Sequence, residues 1–127
     1  MKYMTFITLD QLIEQDALVI PQADAVLSST EIKEGARFNS RGGVYTFYNR
    51  YLEPLYIGIS VNVGKRVMEH FDTPKGNKDL CQYIKREPVY VSVFYEDRKT
   101  YQDIYESYLI QTMNPRFNVD KTGRKKV

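Results

Sequence analysis

The chain has 127 residues, a formal net charge of +2, one cysteine (Cys81) and one histidine (His70). A lone cysteine excludes an internal disulfide and suits a reducing compartment, and one Cys with one His excludes an internal zinc finger. Hydrophobic content of 43% and charged content of 27% fit one ordinary globular domain. No apolar run approaches the ~20 residues of a membrane span, and the N-terminus lacks a secretory pattern, so a cytoplasmic protein is expected. The mildly basic balance permits nucleic-acid binding but does not argue for it.

Residues 1–41 read as an accessory helical segment packed on a core. Thr8 and Gln11 can form a capping box before a short apolar face of Leu9, Leu12 and Ile13. Val19-Ile20-Pro21 is a brief extended piece. Ser28, Ser29 and Thr30 can cap a second short helix, Glu31 to Ala36, which Gly35 weakens or ends. A DNA-contacting or dimerising arm is the alternative use of this segment.

Two β-rich runs follow, Gly43-Val44-Tyr45-Thr46-Phe47-Tyr48 and Leu55-Tyr56-Ile57-Gly58-Ile59, joined by a polar turn. They read as a hairpin. Alternation puts Val44, Thr46 and Tyr48 on one face and Tyr45 and Phe47 on the other. Gly58, isolated within a strand, marks a bulge or a close approach of another group. A helix then runs to Phe71, capped by Ser60 or Asn62, with Val63, Val67 and Phe71 as its stripe. Arg66 and His70, four apart, flank that stripe. Taken alone they read as an ion-paired arginine and a boundary histidine.

After a loop through Lys78, Asp79 can cap a helix with Leu80, Tyr83 and Ile84 inside. Val89 to Tyr95 is the clearest strand, with apolar residues on both faces and cover expected on each. Thr100 and Asp103 suggest a capping box for the longest helix, Tyr101 to about Met113. Its expected packing face is Tyr101, Ile104, Tyr105, Tyr108 and Thr112, and Glu106 shares a side with Ile110 and Met113. Pro115 ends it. Residues 121–127 form a basic tail in which Lys121, Arg124, Lys125 and Lys126 are either a solvated end or flexible phosphate contacts.

Gly43-Val44-Tyr45 and Tyr56-Ile57-Gly58 resemble the two signature tripeptides of the GIY-YIG nuclease family, with Val in place of the first Ile. Arg66 follows Tyr56 by ten positions and His70 follows Arg66 by four; Glu106 precedes Asn118 by twelve. These spacings also match the family, and the resemblance covers about Gly42 to Asn118. It implies a core over residues 42–120, an α+β fold with a small, mainly antiparallel, three-stranded sheet flanked by helices. It implies a divalent-metal-dependent endonuclease that hydrolyses DNA to 5′-phosphate and 3′-hydroxyl ends.

The resemblance also assigns roles. Tyr45 is the candidate general base or water-orienting group, with His70 as the alternative base. Tyr56 points its hydroxyl into the same site. Arg66 would hold the scissile phosphate, because its charged fork can donate two parallel bonds. Glu106 would anchor one Mg²⁺ or Mn²⁺; a hard cation needs only one or two carboxylates when water and substrate phosphate complete its shell. Asn118 would orient the end of the site or bond the DNA backbone. DNA is the expected partner, with no membrane and no small-molecule substrate, and a homo-oligomer or a targeting partner is left open. Ile59 departs from the basic residue found after the second tripeptide in some repair-type members, which weighs against that subgroup. Two rival readings share the fold: a non-cleaving nucleic-acid binding module and a structural or protein-interaction domain.

Overall fold

A computed structural model describes residues 19–118. Four strands and four helices follow in the order β1 (Ala25–Ser28), α1 (Ser29–Lys33), β2 (Gly43–Asn49), β3 (Pro54–Ser60), α2 (Val63–Asp72), α3 (Lys78–Arg86), β4 (Val89–Tyr95) and α4 (Lys99–Met113). The strands form one antiparallel sheet in the order β1-β4-β2-β3.

The sheet therefore has four strands, not the expected three. The extra strand is Ala25–Ser28, which pairs Leu27 with Val91 and Ala25 with Val93. Asp24 prepares that pairing: its N–H donates to the Val93 carbonyl (2.8 Å) and its carboxylate accepts from the Tyr95 N–H (2.7 Å). Four residues with a distant partner leave almost no local signature, because most of their stabilisation comes from cross-strand contacts.

Alternation in β2 holds as expected. Tyr45 and Phe47 face a core with Leu27, Val91, Val93, Val63 and Val67, closed by Leu80 and Ile84 of α3. Val44 faces the other way, with Ile57 and Phe94 against Leu109 and Ile110 of α4. Cover over β4 is unequal, contrary to expectation. Val89, Val91 and Val93 are buried, whereas Tyr90 is 39% exposed. An open cavity of about 670 Å³, lined by Val26, Tyr48, Leu52, Tyr90 and Ser92, occupies that second face.

Several helix ends differ from the sequence reading. Asn62, rather than Ser60, caps α2 by accepting from the Lys65 N–H at 3.0 Å. Asn77, not Asp79, caps α3, and Asp79 sits in its first turn. Helix α1 ends at Lys33, with Ser28 and Glu31 forming a complete capping box. No Thr100–Asp103 box forms; Arg98 is the N-cap of α4, and Asp103 pairs with Lys99 at 2.6 Å.

The packing face of α4 agrees in part with the expected one: Tyr105 and Tyr108 pack against the cluster of Val44, Ile57 and Phe94, but Tyr101 and Thr112 are exposed. Gln102, Leu109 and Ile110 are its buried residues, while Tyr101 is 42% exposed, with the Arg98 guanidinium 3.8 Å from its ring centre. Tyrosines can sit at a boundary with the hydroxyl wet, so the branched aliphatics decide the buried stripe. The Thr8–Gln11 box, the Leu9-Leu12-Ile13 face and the basic tail lie outside the described residues.

Candidate active site

Two strands and one helix bring the signature side chains together. The register sets Tyr45 opposite Gly58 and Phe47 opposite Tyr56, so Tyr45 and Tyr56 share a face of adjacent strands. Gly58 is the close approach its position in a strand suggests: an added Cβ would collide with the Tyr45 hydroxyl and ring. The Tyr45 and Tyr56 rings are 6.2 Å apart, and the His70 ring lies 5.4 Å from Tyr45 and 5.1 Å from Tyr56.

His70 is not a boundary residue. It is fully buried, and its Nε2 lies 2.7 Å from the Tyr45 hydroxyl. Its Nδ1 is buried without a hydrogen-bond partner. The loop between α2 and α3 explains the burial, because it folds back over the imidazole near Gly76. Arg66 is half-buried one turn earlier and pairs with Glu69 at 3.0 Å. Its guanidinium also acts on the Tyr45 hydroxyl through charge and hydrogen bonding.

Glu106 reaches the same place electrostatically from α4. Its charge opposes ionisation of both Tyr45 and Tyr56, and that of Arg66 favours it. Burial dominates nonetheless and raises both phenols above their ordinary range. Burial, then the Arg66 charge, lowers the His70 imidazole to about 4, with Glu69 opposing. Burial alone would lower Arg66, but Glu69 and the tyrosines outweigh it and its net shift is upward. At neutral pH the pocket thus holds two neutral phenols, a neutral imidazole and a fixed guanidinium.

Asn118 sits at the edge of β3, buried. Its Oδ1 accepts from the Ile57 N–H and its Nδ2 donates to the Ile57 carbonyl, both at 2.9 Å. Phe117 N–H donates to the Leu55 carbonyl at 2.7 Å, so residues 117–118 extend the sheet edge beside Tyr56. Both polar ends of the amide are engaged there. Lys121, Arg124, Lys125 and Lys126 lie outside the described residues. No group of three or more His, Cys, Asp or Glu side chains that could hold a metal occurs among the described residues. The oxygen donors near the two tyrosines are the phenols themselves, the Glu69 carboxylate that pairs with Arg66, and Glu106, whose charge acts on both phenols. Such hard donors fit a cation that keeps most of its water.

Sequence reasoning missed Glu69, Gly76 and Asn77 as parts of this site. Glu69 carried a signal, three residues after Arg66 on one helix. Gly76 carried none, since its neighbours exist only in the folded chain.

The model of the UvrC-like GIY-YIG domain matches residues 41–119. The chain belongs to the GIY-YIG family. Ile59 does not set it apart from UvrC-like members: its side chain packs with the core under α4, away from Tyr45. Protein YurQ of Bacillus subtilis (strain 168) is 33% identical over 84 residues, which are 64% of this chain and 63% of that protein. UvrABC system protein C of Dictyoglomus thermophilum is 34% identical over 84 residues, 65% of this chain but only 13% of that protein. The chain thus matches less than two thirds of either relative. The GIY-YIG fold is also seen in the N-terminal endonuclease domain of UvrC from Thermotoga maritima. A point mutant bound to its catalytic divalent cation superposes with a TM-score of 0.55 at 21% identity, covering 71% of this chain and 94% of that one. The magnesium-bound form gives 0.52 at 22%, covering 64% and 86%.

Proposed function

We propose that the protein is a divalent-metal-dependent endonuclease that hydrolyses DNA phosphodiester bonds, leaving 5′-phosphate and 3′-hydroxyl ends. The observation that carries this reading is the convergence of Tyr45, Tyr56, Arg66 and His70 on one pocket that also feels Glu106. A binding module has no need for a buried imidazole against a buried phenol. The comparisons support the class, since the matched UvrC domain is an endonuclease bound to a divalent cation.

Glu106 would hold Mg²⁺ or Mn²⁺, with Tyr56 beside it. A bound cation supplies Lewis-acid stabilisation of charge on the phosphate. Arg66 donates its free edge to the non-bridging oxygens, where negative charge grows in the transition state. Tyr45 orients the attacking water, and its phenolate fraction, favoured by Arg66, takes the water's proton as the new P–O bond forms; the P–O3′ bond breaks and the 3′ oxygen takes a proton from solvent. His70, neutral at pH 7, carries its proton on Nε2 and donates it as a hydrogen bond to the Tyr45 oxygen. That tautomer leaves only a lone pair at the partnerless Nδ1, whereas the other would bury an orphaned N–H. Asn118 steadies the Tyr56 strand.

The test is incubation of the protein with supercoiled plasmid and with labelled duplex and branched DNA, in Mg²⁺, Mn²⁺ or chelator. Metal-dependent nicking with ligatable ends is expected. DNA binding without cleavage in any metal would favour a non-cleaving module; no binding at all would favour a protein-interaction domain.

A further inference from the structure

The loop between α2 and α3 passes directly over the reactive cluster at one residue. A methyl group built on Gly76 would lie 2.9 Å from Arg66 Nη2 and 3.0 Å from His70 Cε1. The first is shorter than real Cβ contacts, and the second is tighter than nearly all of them. The backbone does not explain the glycine, because Gly35 alone among the described glycines has positive φ. Alanine could adopt the same conformation at position 76. The missing side chain serves space, not torsion.

Three partners could yield to a methyl group there. The His70 ring is fully buried and fixed through Tyr45, with Phe47 and Tyr56 packed around it. The loop is tied at both ends. Thr73 N–H donates to the Glu69 carbonyl at 2.9 Å and Thr73 Oγ1 accepts from Lys75 N–H at 2.9 Å. Asn77 Oδ1 caps α3, and Asn77 Nδ2 donates to the Phe117 carbonyl at 2.9 Å. The remaining partner is the tip of Arg66, a long side chain still 32% exposed. Its guanidinium is the group that would move.

We propose that Gly76 is a positioning residue: its bare Cα forms the third wall, with Glu69 and Tyr45, that aims the Arg66 fork at the tyrosine pair. The α2–α3 loop thereby sets the phosphate seat. The assignment rests on the nuclease reading for what Arg66 does, but not for where it is held.

The test is a double-mutant cycle on the full chain. Gly76→Ala, Arg66→Ala and the double variant are compared with the parent at saturating metal and duplex DNA. In Gly76→Ala the single-turnover rate should fall about 10- to 100-fold, as expected for a catalytic group displaced by about 1 Å. DNA affinity and melting temperature should stay near those of the parent. On the Arg66→Ala background, Gly76→Ala should have no further effect, because the group it acts through is gone. A parental rate in Gly76→Ala overturns the proposal. So does an effect that multiplies in full with Arg66→Ala, or a lowered melting temperature, which would mean that the loop yields instead. The Arg66 Nε–H resonance supplies a readout independent of cleavage and should shift in Gly76→Ala. If the parent cleaves no DNA in any metal, the nuclease reading fails, and this resonance alone decides the role of Gly76.

Discussion

The two faces of β2 hold alternate residues of one strand and are built differently. Tyr45 and Phe47 point into a layer under α2 and α3, buried at Tyr45 and His70 and part-exposed at Arg66, where a histidine, an arginine and two tyrosines meet. Thr46 and Tyr48 point to the side where α4 covers one end only, and the rest borders open cavities. Burial on the first face shifts three ionisable groups. Burial lowers the dielectric there, so each charge acts more strongly on its neighbours.

The sharpest way to break this contrast is Glu106→Gln. Glutamine keeps the shape and removes the charge that reaches the tyrosine face. Cleavage should fall by more than about 1,000-fold, with melting temperature and DNA binding near those of the parent. Plasmid nicking at saturating Mg²⁺ reads the effect. Retained nicking would remove Glu106 from the metal.

Tyr45→Phe should lower single-turnover cleavage by about 100- to 1,000-fold at every pH, because the oxygen that orients water is gone. The pH dependence of the parent separates the two candidate bases. A phenol raised by burial is protonated at neutral pH, so the logarithm of the rate should climb by about one per pH unit between pH 6 and 9. An imidazole lowered to about 4 would already be neutral throughout that range and would give a flat profile. A flat parental profile together with substantial activity in Tyr45→Phe would make His70 the base.

Burial of His70 also makes stability depend on pH. Its imidazole stays neutral in the fold down to about 4, from an ordinary value of 6.5. The unfolded chain therefore binds the extra proton first as pH falls. This contribution to stability is fully present above about 6.5 and is lost progressively towards 4, by about 3 kcal/mol. Urea denaturation at a series of pH values should show that loss in the parent and a flatter line in His70→Gln. Parallel lines would mean that His70 titrates alike in both states.

The smallest effect belongs to the open face. Tyr90→Ser should change stability by no more than about 0.5 kcal/mol and leave cleavage intact, since Tyr90 is 39% exposed and lines the open cavity. A large loss on thermal unfolding would show that this face is covered in solution.

The sequence by itself determined the hairpin, the helices and the identity of the tyrosines and histidine that meet between them. Alternation places Tyr45 opposite in sense to Val44, and four-residue spacing places Arg66 and His70 on one side of α2; both are local geometry. What lay beyond local rules was decided only by the tertiary structure. The partner of Ala25–Ser28 is β4, more than sixty residues away, and its pairing carries no turn signal. The α2–α3 loop, roofing His70, turns a boundary histidine into a buried one, and burial with the Arg66 charge lowers its imidazole to about 4. Asn118 can bond a strand edge or a nucleic acid equally well as a residue type, and only the path of residues 116–118 along β3 puts its amide against the Ile57 backbone. Helix and strand periods are properties of neighbours along the chain. Burial, charge environment and the space beside Gly76 are properties of neighbours in space, which a linear pattern does not contain.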